Sequence, residues 1–235
     1  MKDPYLYEDV PVLKNKGNIK DAKQLRAAEG DVTLYTLPTV YAQKFTRFDT
    51  ETLCEIHRLI FDSLYEWAGA FRTILVAKHE DVLGGDTVRY ANTNDIKNEL
   101  TATVKEIAKL EKSEGKKNLT FKLVRIAAKL WQTHPFRDGN TRTIISFVVL
   151  LAEHLGIEIN HALLETHAAY VRNALVWASQ GIYANFVYLE KIFYDAAGVE
   201  NGGADNASAT GSDYAKIGEY NLADYKEAPH IYVED

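Results

Sequence analysis

Apolar residues recur at three- and four-residue intervals along most of the chain, the spacing that places them on one face of an α-helix. After Asp49, a residue type suited to a helix N-cap, one such face comprises Leu53, Ile56, Ile60, Leu64 and Trp67. The segment 144–151 is apolar nearly all round, so we expect its helix to lie at the centre of a bundle. The same periodicity predicts further helices, namely short ones around 10–16 and 20–29, two that begin near residues 94 and 118, and two over about 161–179 and 183–196.

One region breaks the helical pattern. Residues 71–76 and 87–90 are rich in β-prone side chains, and the polar connection between them contains Gly84 and Gly85. This arrangement predicts a small β-hairpin over about 71–90. A lone hairpin is only marginally stable, so we expect it to pack on the body or to bind something. The predicted fold class is therefore all-α, mainly a helical bundle, with a small β-hairpin flap.

The formal net charge of −6 is carried by the C-terminal end of the chain. Residues 199–235 hold eight acidic and two basic residues, whereas residues 1–198 hold 25 of each kind. The stretch 198–211 is rich in Gly, Ala, Ser and Asn, which offer little that can pack. We therefore predict one domain over 1–198, which includes the N-terminal helices and the flap, and an acidic tail over 199–235 that is flexible or docked.

Other global features narrow the class of protein. An excess of acidic over basic residues excludes a nucleic-acid binder that works through a broad basic surface. The single cysteine, Cys54, excludes a disulfide framework and a multi-cysteine zinc site. No run approaches the roughly 18 apolar residues of a membrane span, and the N-terminus has no apolar signal core. We expect a soluble cytoplasmic protein with neither nucleic-acid nor membrane partners.

The connection between the third and fourth predicted helices, residues 134–143, carries the candidate chemistry. His134 titrates near neutrality and can act as a base, and Asp138 offers the oxygen ligand that Mg²⁺ prefers. Gly139 and Asn140 favour a tight turn, whose N–H groups at a helix start attract an anion such as phosphate, and Arg142 can reach the same anion. These residues indicate nucleotidyl or phosphoryl transfer. The alternative is structural, with helix caps and a surface ion pair.

The same connection resembles a family signature, His-x-Phe-x-Asp/Glu-Gly-Asn-x-Arg, of the Fic (filamentation induced by cAMP) family. The matching positions are His134, Phe136, Asp138, Gly139, Asn140 and Arg142. The segment 65–69, Tyr-Glu-Trp-Ala-Gly, followed by Arg72, looks like the part of the family that precedes its flap hairpin. The resemblance covers about residues 1–198 and implies a Fic-like fold.

That resemblance implies a protein adenylyltransferase, which transfers AMP from ATP to a Ser, Thr or Tyr hydroxyl of a target protein. His134 would deprotonate the hydroxyl, and Asp138 would bind Mg²⁺ between the phosphates. The ATP phosphates would be held by Gly139, Asn140, Thr141 and Arg142. Phe136 would anchor the loop in the body, and the flap would pair with an extended segment of the target by strand addition.

Two departures from the family pattern qualify this reading. Thr141 replaces a glycine, and Ile145 stands where the family has a second arginine that contacts the γ-phosphate and pairs with an inhibitory glutamate. The inhibitory pattern, Ser/Thr-x-x-x-Glu-Gly/Asn, is also incomplete, because Leu25 stands four residues before Glu29. We therefore expect either that this glutamate brake is absent or that ATP is held differently. Two alternatives stay open: a Doc-like phosphotransferase or other nucleotide transferase, and a catalytically silent binding module or toxin–antitoxin partner with a separate antitoxin or inhibitor.

Overall fold

The structure, a computed structural model, describes residues 3–199 and confirms a mainly helical fold. Eight α-helices form in this range: α1 (Ala22–Tyr41), α2 (Thr50–Phe61), α3 (Ile96–Ile107), α4 (Lys116–Thr133), α5 (Asn140–His154), α6 (His161–Thr166), α7 (Ala168–Ala178) and α8 (Val187–Ala197). Three short 3₁₀ turns, Asp81–Leu83, Lys112–Glu114 and Gly181–Tyr183, lie in the connections. The acidic tail predicted for 199–235 lies, apart from Val199, outside the described residues.

Helix α5 lies at the centre of the bundle, as its all-round apolar sequence predicts. Eleven of its 15 residues are buried. It packs against α4, α2 and α1, while α4 also packs against α3, α7 and α8. Because both α4 and α5 are surrounded by other helices, the connection between them is held on a rigid base. Among residues 3–199, no helix is both long and apolar enough to cross a membrane.

The predicted start of α2 is confirmed, but the N-terminal helices differ from prediction. The Asp49 carboxylate accepts a hydrogen bond of 3.0 Å from the Thr52 N–H, which makes it the N-cap. Residues 10–16 form no helix, because Leu6 and Leu13 form an antiparallel bridge there. The helix expected near 20–29 is the much longer α1. The helix expected over 161–179 is interrupted at His167 and forms α6 and α7.

The predicted β-hairpin is not confirmed, since the part of the chain that the structure describes contains no β-strand. Residues 71–90 form a loop, in which an isolated antiparallel bridge joins His79 and Thr87. The physical reason lies at Glu80, whose side chain is fully buried and accepts two hydrogen bonds from Arg172 of α7, at 2.7 and 3.2 Å. This ion pair draws the tip of the loop onto α7, and the 3₁₀ turn Asp81–Leu83 replaces the strand ends.

Candidate active site

The chain reverses direction between α4 and α5 in a turn that demands unusual backbone conformations. His134 ends α4 with φ +47°, in the left-handed region that non-glycine residues rarely adopt, and Gly139 precedes α5 with φ +75°. A Cβ at Gly139 would lie 2.3 Å from Cε2 of Phe61, so only glycine fits there. The turn thus brings the backbone N–H groups at the start of α5 close to the surface of a cavity.

Two side chains fix the shape of this turn. The Asn140 side chain bonds to both backbone groups of Phe136: its Oδ1 accepts from the N–H at 3.0 Å, and its Nδ2 donates to the carbonyl at 2.8 Å. Phe136 is fully buried and stacks on His57 with ring centroids 3.9 Å apart. Phe136 therefore packs as an anchor, and the Asn140 amide is engaged inside the turn, which leaves its backbone N–H for an anion.

His57 of α2 holds the turn in place through hydrogen bonds. Its Nδ1 accepts a hydrogen bond from the Gly69 N–H at 2.8 Å, so the ring proton is on Nε2, which donates to the Asp138 carbonyl at 3.1 Å. Burial lowers the pKa of His57 to about 4, so the ring stays neutral at physiological pH and keeps this tautomer. Nothing in the local sequence around His57 indicates this contact with the motif, 81 residues away.

His134 has one ring nitrogen without a hydrogen-bond partner among the described residues. Its Nδ1 lies 3.3 Å from the Trp131 carbonyl, which can only accept, so Nδ1 carries the proton and Nε2 keeps a free lone pair. Nε2 is buried and has no hydrogen-bond partner among residues 3–199. The ring is held by Tyr90 and Trp131, with centroid separations of 4.0 and 5.4 Å. An orphaned acceptor that borders a cavity is a site prepared for a proton.

The electrostatic surroundings keep His134 neutral. Burial lowers its pKa well below the ordinary histidine value, and the nearby positive charges of Lys78 and Arg72 lower it further. A neutral imidazole is the protonation state that a base needs before it accepts a proton. The sequence-based choice of His134 as base is therefore consistent with its surroundings.

Arg72 is a buried guanidinium whose hydrogen bonds all go to carbonyl oxygens. Its Nε donates to the His134 carbonyl at 2.7 Å, Nη1 donates to the Ile74 carbonyl at 2.7 Å, and Nη2 donates to the Ala91 carbonyl. Its backbone N–H also donates to the Pro135 carbonyl at 2.9 Å. One side chain thus joins both ends of the 71–90 loop to the strained backbone of His134.

A buried ion pair joins the motif to the N-terminal segment. Arg137 donates to Oδ2 of Asp3 from Nη2 at 2.8 Å and from Nε at 3.1 Å. Both side chains are almost fully buried, at 3% and 1% exposed. A buried pair with two hydrogen bonds fixes the direction of the backbone on which Asp138 follows. Asp3 is far from the motif in sequence, and nothing in its local pattern indicates this contact.

Asp138 is ionised and accessible to a cation. Burial alone would raise its pKa, but the positive charges of Lys78, Arg142 and Arg137 hold that pKa below its usual range. The Gly139 N–H also donates to its carboxylate. The residue is half-buried and borders the cavity. It offers a permanently charged oxygen ligand.

Arg142 meets a carboxylate that the sequence analysis set aside. Its Nη2 donates to Oε2 of Glu29 on α1 at 3.2 Å, and its Nη1 donates to Oγ1 of Thr33 at 2.9 Å. The Tyr65 hydroxyl donates to the other Glu29 oxygen. Burial and the nearby charge of Asp138 raise the pKa of Glu29. The sequence pattern did not predict this pair, in which the Glu29 carboxylate binds the motif arginine, Arg142.

The reason for the missed glutamate is chemical. The family pattern has a Ser or Thr four residues before the glutamate, where this chain has Leu25. Leu25 is buried against the body and orients α1 by apolar packing. The dipeptide of Glu29 and Gly30, without the hydroxyl condition, was the available signal. The partner also differs from the expected one, since Glu29 binds Arg142 while position 145 is isoleucine.

The two departures from the motif have defined places. Thr141 borders the cavity, and its hydroxyl oxygen accepts a hydrogen bond of 2.9 Å from the Trp131 indole. The bond orients both side chains beside the base, because Trp131 also contacts His134 edge-on. Ile145 is 8% exposed and packs in the core, so it presents no charge to the cavity.

A cavity of about 310 Å³ brings the predicted site residues together. It is lined by His134, Asp138, Gly139, Asn140, Thr141 and Arg142 from the motif, Trp131 from α4, Arg26 and Glu29 from α1, Lys78 from the loop, and Ala168, Ala169, Arg172 and Asn173 from α7. This volume is within the range of small-molecule sites, which begins near about 300 Å³. All six sequence-predicted residues border it, whereas Phe136 does not.

The donor set fits magnesium held mainly by a substrate. Within residues 3–199 there is no group of three or more His, Cys, Asp and Glu side chains placed to hold a metal ion. Mg²⁺ is commonly bound through one or two carboxylates together with phosphate oxygens and water. A single ionised Asp138 beside an anion-binding turn meets that requirement, whereas zinc would need more protein ligands.

Comparison with known sequences places the motif in a family. Residues 47–152 match the profile described as the Fic/DOC family. The chain is 30% identical over 166 residues to the probable protein adenylyltransferase y4lH of Sinorhizobium fredii, a match that covers 70% of this chain and 83% of that protein. It is 27% identical over 161 residues to the probable protein adenylyltransferase Fic of Salmonella typhimurium, over 68% of this chain and 76% of that protein.

Solved structures give the same answer for the fold. BepC of Bartonella tribocorum, crystallised with bound AMPPNP, superposes with a TM-score of 0.70 at 24% identity, over 84% of this chain and 97% of that one. An N-terminal Fic domain from Bartonella quintana with bound ADP gives a TM-score of 0.67, over 82% of this chain and 93% of that one. The motif turn between α4 and α5, the helical fold and the sequence relatives agree, and the chain belongs to the Fic/DOC family.

Proposed function

We propose that this protein transfers AMP from Mg²⁺-ATP to a side-chain hydroxyl of a target protein. The observation that carries the proposal is His134 Nε2, a buried lone pair without a partner among the described residues, on the wall of the cavity that Asp138 and the turn before α5 also line. Several relatives bear the name protein adenylyltransferase, which supports the same reaction.

The proposed reaction needs one proton transfer and one displacement at phosphorus. The target oxygen attacks the α-phosphorus while its proton passes to His134 Nε2, and the bond from the α-phosphorus to the bridging oxygen of the β-phosphate breaks. Pyrophosphate leaves with that electron pair. The N–H groups at the start of α5 and the Arg142 guanidinium are suited to stabilise charge on the phosphates, which is the main catalytic contribution in such transfers.

Asp138 would hold the magnesium ion of the proposed reaction. When bound, that ion neutralises charge on the phosphates and orients them. The contribution of the chain is to keep the Asp138 carboxylate ionised and directed at the cavity, through the Gly139 N–H and the nearby cations. His57 fixes the carbonyl of the same residue.

The target would approach along the 71–90 loop, which we propose as the flap of the site. Lys78 from this loop borders the cavity, and Arg72 joins both ends of the loop to His134. A target segment that contacts the loop is thereby brought beside the base. Strand addition to the loop stays a proposal, because residues 71–90 form no β-strand of their own.

The resting site would be partly blocked. Glu29 binds Arg142, which an incoming phosphate would also need. ATP must therefore displace a carboxylate and meets its negative charge in the same space. We propose that α1 holds the protein in a low-activity state until Glu29 moves, which is compatible with control by a separate inhibitor or activator.

Label transfer tests the proposal. The whole chain is incubated with a cell lysate and ATP that carries radioactive phosphorus at the α- or the γ-position. We expect protein labelling from the α-label only, loss of labelling in His134→Ala, and stronger labelling in Glu29→Gln. Equal labelling by wild type and His134→Ala would refute the role of the base.

Phosphate transfer is the second candidate, and Ile145 favours it. Since α5 presents no second cation to the phosphates, the orientation of the nucleotide rests on fewer contacts within the motif. Protein labelling from the γ-label and not from the α-label would establish this alternative. A silent binding module would give neither label and no magnesium-dependent nucleotide binding in calorimetry.

A further inference from the structure

Not every charged side chain that lines the cavity has an ion-pair or hydrogen-bond partner within residues 3–199. Arg142 is held by Glu29, and the Arg172 guanidinium is held by the buried Glu80. Arg26 of α1 borders the same cavity, yet it makes no hydrogen bond or ion pair with any residue of the described range 3–199. An exposed cation on the wall of an anion site has its charge available for a ligand.

The position of Arg26 on α1 brings it to the phosphate end of the cavity. It stands three residues before Glu29, so the two side chains lie on the same face of the helix, one turn apart. Glu29 reaches Arg142 at 3.2 Å. The face of α1 that approaches Arg142 therefore also carries Arg26, and the buried Leu25 beside it anchors this turn to the body.

A triphosphate needs more positive charge than the motif helix supplies. The anion-binding turn leads into α5, where Arg142 is the cation, and one turn further the helix carries Ile145 in the core. Hydrogen bonds between a guanidinium and phosphate oxygens are strong and are often bidentate. The charge for the outermost phosphate must come from another element, and α1 offers it.

We propose that Arg26 binds the terminal phosphate of ATP from α1. The inference rests on the proposed nucleotide site and adds a residue outside the motif to it. Helix α1 then has two opposite effects on the nucleotide: Glu29 competes with it for Arg142, and Arg26 attracts its far end. Displacement of Glu29 by ATP becomes easier because the same helix supplies a new contact.

Calorimetry with the whole chain, Mg²⁺ and either ATP or ADP tests the proposal. Arg26→Ala should weaken ATP binding about tenfold or more, the loss of one charge-assisted hydrogen bond. ADP, which lacks the third phosphate, should lose less than about threefold, and Arg26→Lys should recover part of the ATP affinity. The same titrations in Glu29→Gln keep the affinities measurable if the carboxylate blocks the wild type.

Lys23→Ala is the matched control. Lys23 is an exposed cation one turn earlier on α1 that does not border the cavity, so its loss changes the net charge equally. An equal weakening of ATP and ADP by Arg26→Ala, no weakening at all, or the same weakening by Lys23→Ala would overturn the proposal. Label transfer is read separately, so a protein that binds ATP through Arg26 and transfers no AMP refutes only the proposed reaction.

Discussion

Replacement of Glu29 by glutamine removes one charge from the site and changes little else. The amide has nearly the same size, and its oxygen can still accept the hydrogen bond from the Tyr65 hydroxyl. The Arg142 guanidinium loses its carboxylate partner, at 3.2 Å in the wild type. We expect ATP to bind more tightly, because Arg142 becomes available for a phosphate.

The size of the effect follows from the bond that ATP must break. Both side chains are largely shielded from solvent, at 27% and 13% exposed, so the interaction keeps most of its strength. A hydrogen bond between charged groups contributes about 1.5–3 kcal/mol, which corresponds to roughly 10- to 150-fold in the dissociation constant. Relief of the repulsion between Glu29 and the phosphates acts in the same direction.

The assay is isothermal titration of ATP in the presence of Mg²⁺, with the melting temperature of each variant as a check on folding. Glu55→Gln on α2 is the control, because Glu55 is exposed and lies away from the cavity. Glu29→Ala, which also removes the amide oxygen, should bind ATP at least as tightly as Glu29→Gln. Unchanged or weaker ATP binding by Glu29→Gln, in a protein that melts normally, would refute the view that Glu29 blocks the site.

Three further outcomes are expected. Gly139→Ala should lose ATP binding in calorimetry and about 2–5 kcal/mol of stability in denaturant titration, because an alanine there is strained by the left-handed backbone and overlaps Phe61. A second change, Phe61→Leu, should restore part of the stability. Asp3→Ala should cost about 3–5 kcal/mol in the same titration, because it leaves Arg137 buried and unpaired, while further replacement of Arg137 by Met should recover part of the loss. As the pH falls, kcat/KM for label transfer should stay level through the usual histidine range, about 6.5, and decline only at lower pH, because burial and the charge of Lys78 lower the pKa of His134. A decline centred in the usual histidine range would contradict the assignment of His134 as the base.

The helical scaffold could be predicted because the sequence features that determine a helix lie close together in the chain. The nearly all-apolar segment 144–151 of α5 specified a central helix, and Asp49 marked the start of α2 through its own side chain. The motif also follows local rules, since a glycine turn before a helix has the same backbone requirements in any protein. These features depend on neighbours within one or two helical turns.

The remaining features depend on contacts between residues distant in sequence. The side chains of the 71–90 segment favour strands, but the ion pair between Glu80 and Arg172, 92 residues apart, determines its path. Glu29 and Arg142 are 113 residues apart, and Asp3 and Arg137 are 134 apart. No periodicity or spacing in a single sequence identifies the partner in such pairs. The contact of Glu29 with Arg142 and that of Asp3 with Arg137 therefore emerge from the structure.

The attachment of the 71–90 loop bears on how a target would reach the proposed site. Arg72 fixes the two ends of the loop through carbonyl bonds to Ile74 and Ala91, inside the protein and with no opposing charge for salt to screen. The tip is held differently, by the ion pair between Glu80 and Arg172. In the proposed reaction, a target that lifts the tip would have to break that ion pair and the hydrogen bond from the Tyr90 hydroxyl to Glu80, while the guanidinium at the base of the loop keeps its bond to His134. In the proposed reaction, entry of the target and orientation of His134 would thus depend on different contacts, so a wide range of target shapes would be compatible with one fixed position of His134.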